Sequence, residues 1–218
     1  TNLTQSSARW QVLGQQVLMG RYWLPSPIME ALDPSIAGPD AISKGVTAVF
    51  AALDALAKDP AERTDEEQAM LDSAIPYNMD AWDGYEYERD QVLALARDLG
   101  SKLVVLAGDT HNAWNTQLTT PDGGMAGVEF GCASVSSPGL AGFLGAGNAA
   151  LFAPLISTLI DDLKDANLSN RGYLELTLTP DEVTAVHRFV NTVQDVEYAI
   201  DDALTKEFVG SRDDMLLG

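Results

Sequence analysis

Residues 103–114 read Leu-Val-Val-Leu-Ala-Gly-Asp-Thr-His-Asn-Ala-Trp, an apolar run that stops abruptly at a carboxylate and an imidazole. Just before it, residues 85–99 carry Val92, Leu95, Ala96 and Leu99 at helical spacing, and Gly100 suits a helix stop. The pattern predicts a helix over 85–99 followed at once by a buried strand over 102–107. A helix-to-strand step with so short a connection belongs to α/β architecture. Chemistry-bearing residues then fall at the C-terminal end of the strand, the edge where α/β sheets place their ligands. Asp109 and His111 are two residues apart. In an extended segment they lean to one side, about 6–7 Å apart along the backbone. That is room for two neighbouring metal ions, which in two-metal hydrolases sit about 3.5–4 Å apart. Gly108 lets the backbone come close to a ligand. The residues alone leave a second reading open: an Asx-type turn, with Asp109 bonding its own backbone and His111 satisfied by a carbonyl.

Few other residues compete for metal chemistry, because the 218-residue chain has two histidines and one cysteine. The length suits one domain with one sizeable core. Thirteen Lys and Arg against 32 Asp and Glu give a net charge of −19. That balance argues against a nucleic acid partner and against an anionic membrane surface. It keeps the surface solvated, and a Ca²⁺, Mg²⁺ or Fe site can draw on part of the carboxylate excess. With Cys132 alone there is no internal disulfide framework and no Cys-rich zinc site. Cys132 reads as a small buried thiol and His187 as a packed or surface histidine rather than a ligand. No apolar run approaches the roughly 20 residues of a membrane span.

Along the rest of the chain, residues 10–19 predict a strand that enters the core at once, and 28–39 a loop. Asp40 can cap a helix to about Lys58, and Thr64-Asp65-Glu66-Glu67 is a capping box opening a short one. Residues 28–75 therefore read as a peripheral helical insertion. Residues 127–132 predict a strand, 134–147 a loop, and 149–165 a helix with Leu151, Leu155, Leu159 and Leu163 on one face. Leu174, Leu176 and Leu178 alternate with polar neighbours, and Thr179-Pro180-Asp181-Glu182 turns the chain into a partner strand over 183–191. The tail 196–218 is acidic and reads as a peripheral helix with a frayed end. Ser136 and Ser137 lack a base and a nucleophile elbow, which excludes a serine hydrolase. Gly145-Ala146-Gly147 is not a dinucleotide fingerprint.

Five segments together carry a resemblance. They are Arg9-Trp10-Gln11-Val12-Leu13-Gly14-Gln15-Gln16-Val17, Asp80-Ala81-Trp82-Asp83-Gly84-Tyr85 with Arg89, the Gly108–Trp114 loop, Gly127-Val128-Glu129-Phe130 with Ser134-Val135-Ser136-Ser137-Pro138-Gly139, and Arg171-Gly172-Tyr173. In this order they resemble the C-terminal half of the PhoD-like alkaline phosphatases, a branch of the calcineurin-like metallophosphoesterases. The resemblance spans roughly residues 8–192. It implies an α/β/β/α sandwich, here its C-terminal half, with a mixed sheet and a C-terminal antiparallel hairpin. It implies metal-dependent hydrolysis of phosphate monoesters or diesters by in-line attack, and a site of two or more metal ions, Fe³⁺ and Ca²⁺ in that family, with Mn²⁺ or Zn²⁺ as variants. Asp109 would bind one metal and His111 its neighbour. Related metallophosphatases place a Gly-His-x-His loop here, and an aspartate in the first position favours a harder ion such as Ca²⁺.

The resemblance also implies what is missing. The family's bridging aspartate, tyrosine, asparagine and cysteine ligands lie in its N-terminal half and have no matching positions here. The expected partners are therefore a phosphate ester and the N-terminal half of the same protein, and the expected location is periplasmic or extracellular. Asn112 either contacts a phosphate oxygen, orients Asp109 or bonds its own loop. Arg89 either clamps phosphate or pairs with Asp83 to fix the 80–85 loop. Trp82, Tyr85 and Trp114 line a cleft or pack the core. The rival to an enzyme is a non-catalytic acidic binding module built on a phosphatase-derived scaffold.

Overall fold

Apolar residues on both faces of one strand require a layer on each side of it, and residues 103–107 find both. The computed structural model describes residues 2–33, 35, 38–211, 215 and 217. In chain order the elements are α1 (Asn2–Gln5), β1 (Gln11–Gln15), β2 (Trp23–Pro25), α2 (Ser26–Leu32), α3 (Ala41–Leu56), α4 (Asp65–Asp72), β3 (Ala74–Pro76), α5 (Glu86–Asp98), β4 (Leu103–Ala107), β5 (Ala113–Thr119), β6 (Met125–Gly131), α6 (Leu140–Leu144), α7 (Ala146–Leu159), β7 (Leu163–Asn167), β8 (Gly172–Leu178), β9 (Glu182–Phe189) and β10 (Lys206–Ser211).

The main sheet is mixed, in the order β1-β4-β6-β5-β7. β1, β4 and β6 are parallel, and β5 runs antiparallel to both β6 and β7. Four strands therefore end, and β5 begins, at one edge. The segments after β1, β4, β6 and β7 all emerge there. A second, antiparallel sheet has the order β10-β9-β8.

Val104 of β4, with Val128 and Phe130 of β6, meets Val183 and Ala185 of β9, which closes the two sheets on each other. On the opposite face Leu103 and Val105 meet Leu93 and Ala96 of α5. Further along that face Ala107, Trp114 and Leu163 pack with Val49 and Ala52 of α3 and Phe152 and Ile156 of α7. Each large side chain so buried contributes about 1.5–3 kcal/mol. The order is helices, mixed sheet, antiparallel sheet, three consecutive layers of the expected sandwich.

Several expectations need correction. Part of 28–39 is helix, because Pro25-Ser26-Pro27 starts α2 rather than preventing it; proline is tolerated in a helix's first turn. The Thr64 capping box forms as read, whereas the Asp40 side chain makes no capping bond. The helices of 28–75 are less peripheral than their polar surface suggests, since Ile28, Val49 and Ala52 share one core with Trp114. The helix read over 149–165 stops at Leu159, and Leu163 opens strand β7. Residues 206–211 of the tail form strand β10 against β9, not a helix. The frayed end expected at the terminus falls partly on 212–214, 216 and 218, outside the described residues.

Candidate metal site

The loop after β4 is held from below by β1. The carbonyl of Gln16 accepts from both Gly108 N (3.2 Å) and Asp109 N (2.9 Å), and the Gln16 side-chain Nε2 donates to Asp109 Oδ2 (2.8 Å). His111 N then donates back to Gly108 O, 3.3 Å, closing a turn. His111 takes a left-handed backbone, φ 55°, which for a side chain with a Cβ costs about 1–2 kcal/mol. Two bonds offset that cost. The His111 carbonyl accepts from Arg171 Nη1, and its ring Nδ1 lies 3.0 Å from the carbonyl of Pro138. A carbonyl can only accept, so Nδ1 carries a proton, and in the neutral imidazole Nε2 is the nitrogen left to bind a cation.

His111 Nε2 lies 3.6 Å from Asp109 Oδ1, with the two side chains 40% and 51% exposed. The extended-segment spacing is thus replaced by a turn that brings the donors close together. A carboxylate oxygen and an imidazole nitrogen, on two partly exposed side chains, are a donor set for a divalent or trivalent cation. With bonds of about 2.0–2.6 Å, donors at this separation can meet one ion or two adjacent ones. Among the described residues no group of three or more His, Cys, Asp and Glu side chains is placed to hold a metal. The chain offers a pair, which fits part of a site.

Arg171 was read in the sequence only as the opening of a hairpin, and it does more. It is 6% exposed, and its guanidinium donates to the carbonyls of His111, Ser137 and Leu168. It joins the loops after β4, β6 and β7. Its bare charge is buried among carbonyls, and desolvation lowers its pKa. Gly139 sits beneath it. A Cβ there would come closer than 3.0 Å to Asn112 Oδ1, His111 O and Arg171 Nη1. No local pattern in the sequence reveals either role, because both depend on loops far apart in the chain.

The other candidates fall elsewhere. Asn112 is 1% exposed; its Nδ2 donates to Thr110 O (2.7 Å) and its Oδ1 accepts from Leu140 N (3.1 Å). It ties two loops together and is buried between them, the loop-bonding alternative of the three readings. Arg89 is 2% exposed, pairs with Asp83 at 2.7 Å, and packs beside Met19, Gly20 and Leu118 near the far edge of the sheet. Its partner is Asp83 rather than any group of the Asp109 loop, the arrangement of the structural-pair alternative. Trp114 Nε1 donates to Thr110 Oγ1 at 2.6 Å, and its ring lines an apolar cavity of about 280 Å³ with Tyr22, Tyr77 and Phe152. Cys132 N bonds Ala107 O beside the site, and burial raises its thiol pKa.

Sequence reading also missed Glu129. It is fully buried in central strand β6 and accepts from Met19 N (2.6 Å), Gly20 N (2.9 Å) and Tyr22 OH (3.0 Å). It pins the segment after Gln16 across the helical face of the sheet. Burial pushes its pKa up to about 7 against the pull of those three donors.

The fold and site define a class: a layered two-sheet α/β protein presenting a carboxylate–imidazole pair at the C-terminal edge of its mixed sheet. The chain belongs to the PhoD-like phosphatase family, whose model matches residues 1–187. It is 30% identical over 132 residues to alkaline phosphatase D of Bacillus subtilis (strain 168), a match covering 59% of this chain and 22% of that protein. A solved structure of PhoD superposes with a TM-score of 0.62 at 22% identity, covering 100% of this chain and 32% of the PhoD chain, and shares its fold. The chain thus corresponds to about a third of the solved PhoD chain.

Proposed function

We propose that this chain forms one wall of a metal-dependent phosphate ester hydrolase site and that residues outside it supply the other ligands. The observation that carries the reading is the approach of Asp109 Oδ1 to His111 Nε2, 3.6 Å, with the other ring nitrogen, Nδ1, engaged by Pro138 O at 3.0 Å. Family membership supports phosphatase chemistry, and the name of the Bacillus relative supports an alkaline phosphatase. Metals held in part by Asp109 and His111 would supply Lewis-acid polarisation of the phosphoryl oxygens and activation of a water for in-line attack. Asp109 would hold one ion and His111 its neighbour; the resemblance implies Fe³⁺ and Ca²⁺ for the pair, with Mn²⁺ or Zn²⁺ as substitutes, and an aspartate ligand favours a harder ion such as Ca²⁺ over Zn²⁺. Arg171 and Gly139 keep the pair in register by fixing the loop beneath it. We further propose a periplasmic or extracellular location; no described helix is long and apolar enough to cross a membrane.

The test compares this chain alone with a longer polypeptide that adds the N-terminal half expected from the resemblance. The chain alone should hydrolyse a chromogenic phosphate ester at background rate. The longer protein should be active, and His111→Ala should abolish that activity. Full activity of the isolated chain, or an active His111→Ala enzyme, would overturn the reading.

A further inference from the structure

We propose that Gln16 is the positioning residue for Asp109, aiming its free carboxylate oxygen at the metal; the assignment rests on the metal-site reading above. Gln16 follows β1, the strand paired with β4, so its distance from the loop is set by the sheet itself. From that fixed point it makes three bonds to two consecutive residues. Its carbonyl takes the amides of Gly108 and Asp109, and its side chain takes Asp109 Oδ2 at 2.8 Å. The first two bonds set where the Asp109 backbone lies. The third selects the carboxylate's rotation, because it occupies one oxygen and leaves the other facing His111 Nε2.

The chemistry of the donor matters. A carboxylate that is half exposed rotates freely unless something holds it, and a metal must then order it on binding. A Lys or Arg in the place of Gln16 would order it too, but would bring a positive charge that competes with the cation. A neutral amide orders the carboxylate and leaves its charge for the metal. Arg171 does the corresponding work for His111 from the opposite side of the loop. The two ligands are thus aligned from two different strand ends, β1 and β7.

The experiment uses the full ¹⁵N-labelled chain titrated with Mn²⁺, reading paramagnetic broadening of the amide signals of residues 108–112. Wild type should broaden there and Asp109→Ala should not. Gln16→Met, which keeps length and removes the donor, should need about tenfold more Mn²⁺ for half the effect, the loss typical when a ligand's supporting partner is removed. A Gln16→Met midpoint equal to wild type overturns the assignment and leaves the metal site standing. Absence of broadening in wild type up to millimolar Mn²⁺ overturns the reading of Asp109 and His111 as a pair that binds a cation, and the assignment with it. A second measurement does not depend on that variant folding or on metal. The Gln16 side-chain amide protons should exchange faster in Asp109→Ala than in wild type, and unchanged exchange overturns the assignment.

Discussion

His187 Nε2 lies 2.9 Å from Asn115 Oδ1, a hydrogen bond that clips the antiparallel sheet to the mixed one. The amide oxygen accepts, so Nε2 carries the proton. Among the described residues, His187 Nδ1 and Asn115 Nδ2 are both buried without a partner. Phe189 and Phe208 flank the ring, each at 6.2 Å. Burial, aided by the nearby Lys206 ammonium, lowers the pKa of His187 to about 4 from 6.5. In the unfolded chain the same imidazole takes a proton near pH 6.5. Stability from this group is therefore complete above pH 6.5 and is lost as pH falls toward 4, by up to about 3 kcal/mol. Urea unfolding across pH 4–7 checks it. Relative to wild type, His187→Gln should lose stability as pH rises from 4 to 6.5, because it lacks the wild-type gain. A pH-independent difference would show that the imidazole protonates freely in the folded state.

Glu129 works in the opposite direction. Its pKa is raised from 4.5 to about 7, so the folded state keeps a proton that the unfolded chain has already released. Stability from this group is lost as pH rises through that window. Glu129→Gln mimics the protonated side chain but presents an amide donor to backbone N–H groups, so it should destabilise at pH 5 by about 1–3 kcal/mol. The deficit should shrink toward pH 8, by up to about 3 kcal/mol. Between pH 4.5 and 6.5 the His187 and Glu129 contributions oppose each other in the wild-type protein. Each single variant should expose the slope of the other. Equal deficits at pH 5 and pH 8 would contradict a raised Glu129 pKa.

The same buried polar residues explain where the sequence was legible and where it was not. α5, β4 and the β8–β9 hairpin could be read because their apolar residues keep the period of the element they form. Strand β5 could not. Its Asn115, Thr116 and Gln117 are all buried, and their partners come from Tyr22, Asp162 and His187, distant in the chain. β7 was masked because Leu163 continues the four-residue spacing of Leu151, Leu155 and Leu159, although the helix has already ended. Asp109 and His111 stood out by residue type and position. Gln16, Gly139 and Arg171 did not, since their roles exist only once four strand ends meet at one edge.

Arg89 offers a test of structure against chemistry. Its guanidinium is buried against Asp83, which also accepts from Tyr22 N at 2.8 Å and Trp23 Nε1 at 3.1 Å. Burial raises the Asp83 pKa in spite of these donors. Removing one member of such a pair leaves an uncompensated charge, typically at a cost of about 3–5 kcal/mol. Arg89→Met should therefore lower unfolding free energy by that order. Asp83→Asn in the same background should add less than it costs alone, since the charge that Arg89 faced is gone. Phosphate affinity of the folded Arg89→Met protein should stay at the wild-type level. A selective loss of phosphate binding with unchanged stability would restore the clamp reading.

Gly139→Ala carries the argument to the site. The added methyl would meet Asn112 Oδ1, His111 O and Arg171 Nη1 at once, all closer than 3.0 Å. None of these atoms ends a flexible exposed chain. Asn112 is buried, Arg171 is held by carbonyls, and His111 O belongs to a left-handed residue. The loop must therefore shift, at a cost of about 1–3 kcal/mol. A shift of the His111 backbone would disturb the contact of its ring Nδ1 with Pro138 O. Arg171→Met reaches the same loop by another route, leaving carbonyls of three loops without their shared donor. Both variants should keep the hairpin and the inter-sheet core, so that far-ultraviolet circular dichroism is unchanged. Both should accelerate amide exchange at residues 108–112 well before they alter exchange in β8 and β9. Equal acceleration in all these segments would mean that Gly139 and Arg171 support the whole fold rather than the loop that carries Asp109 and His111.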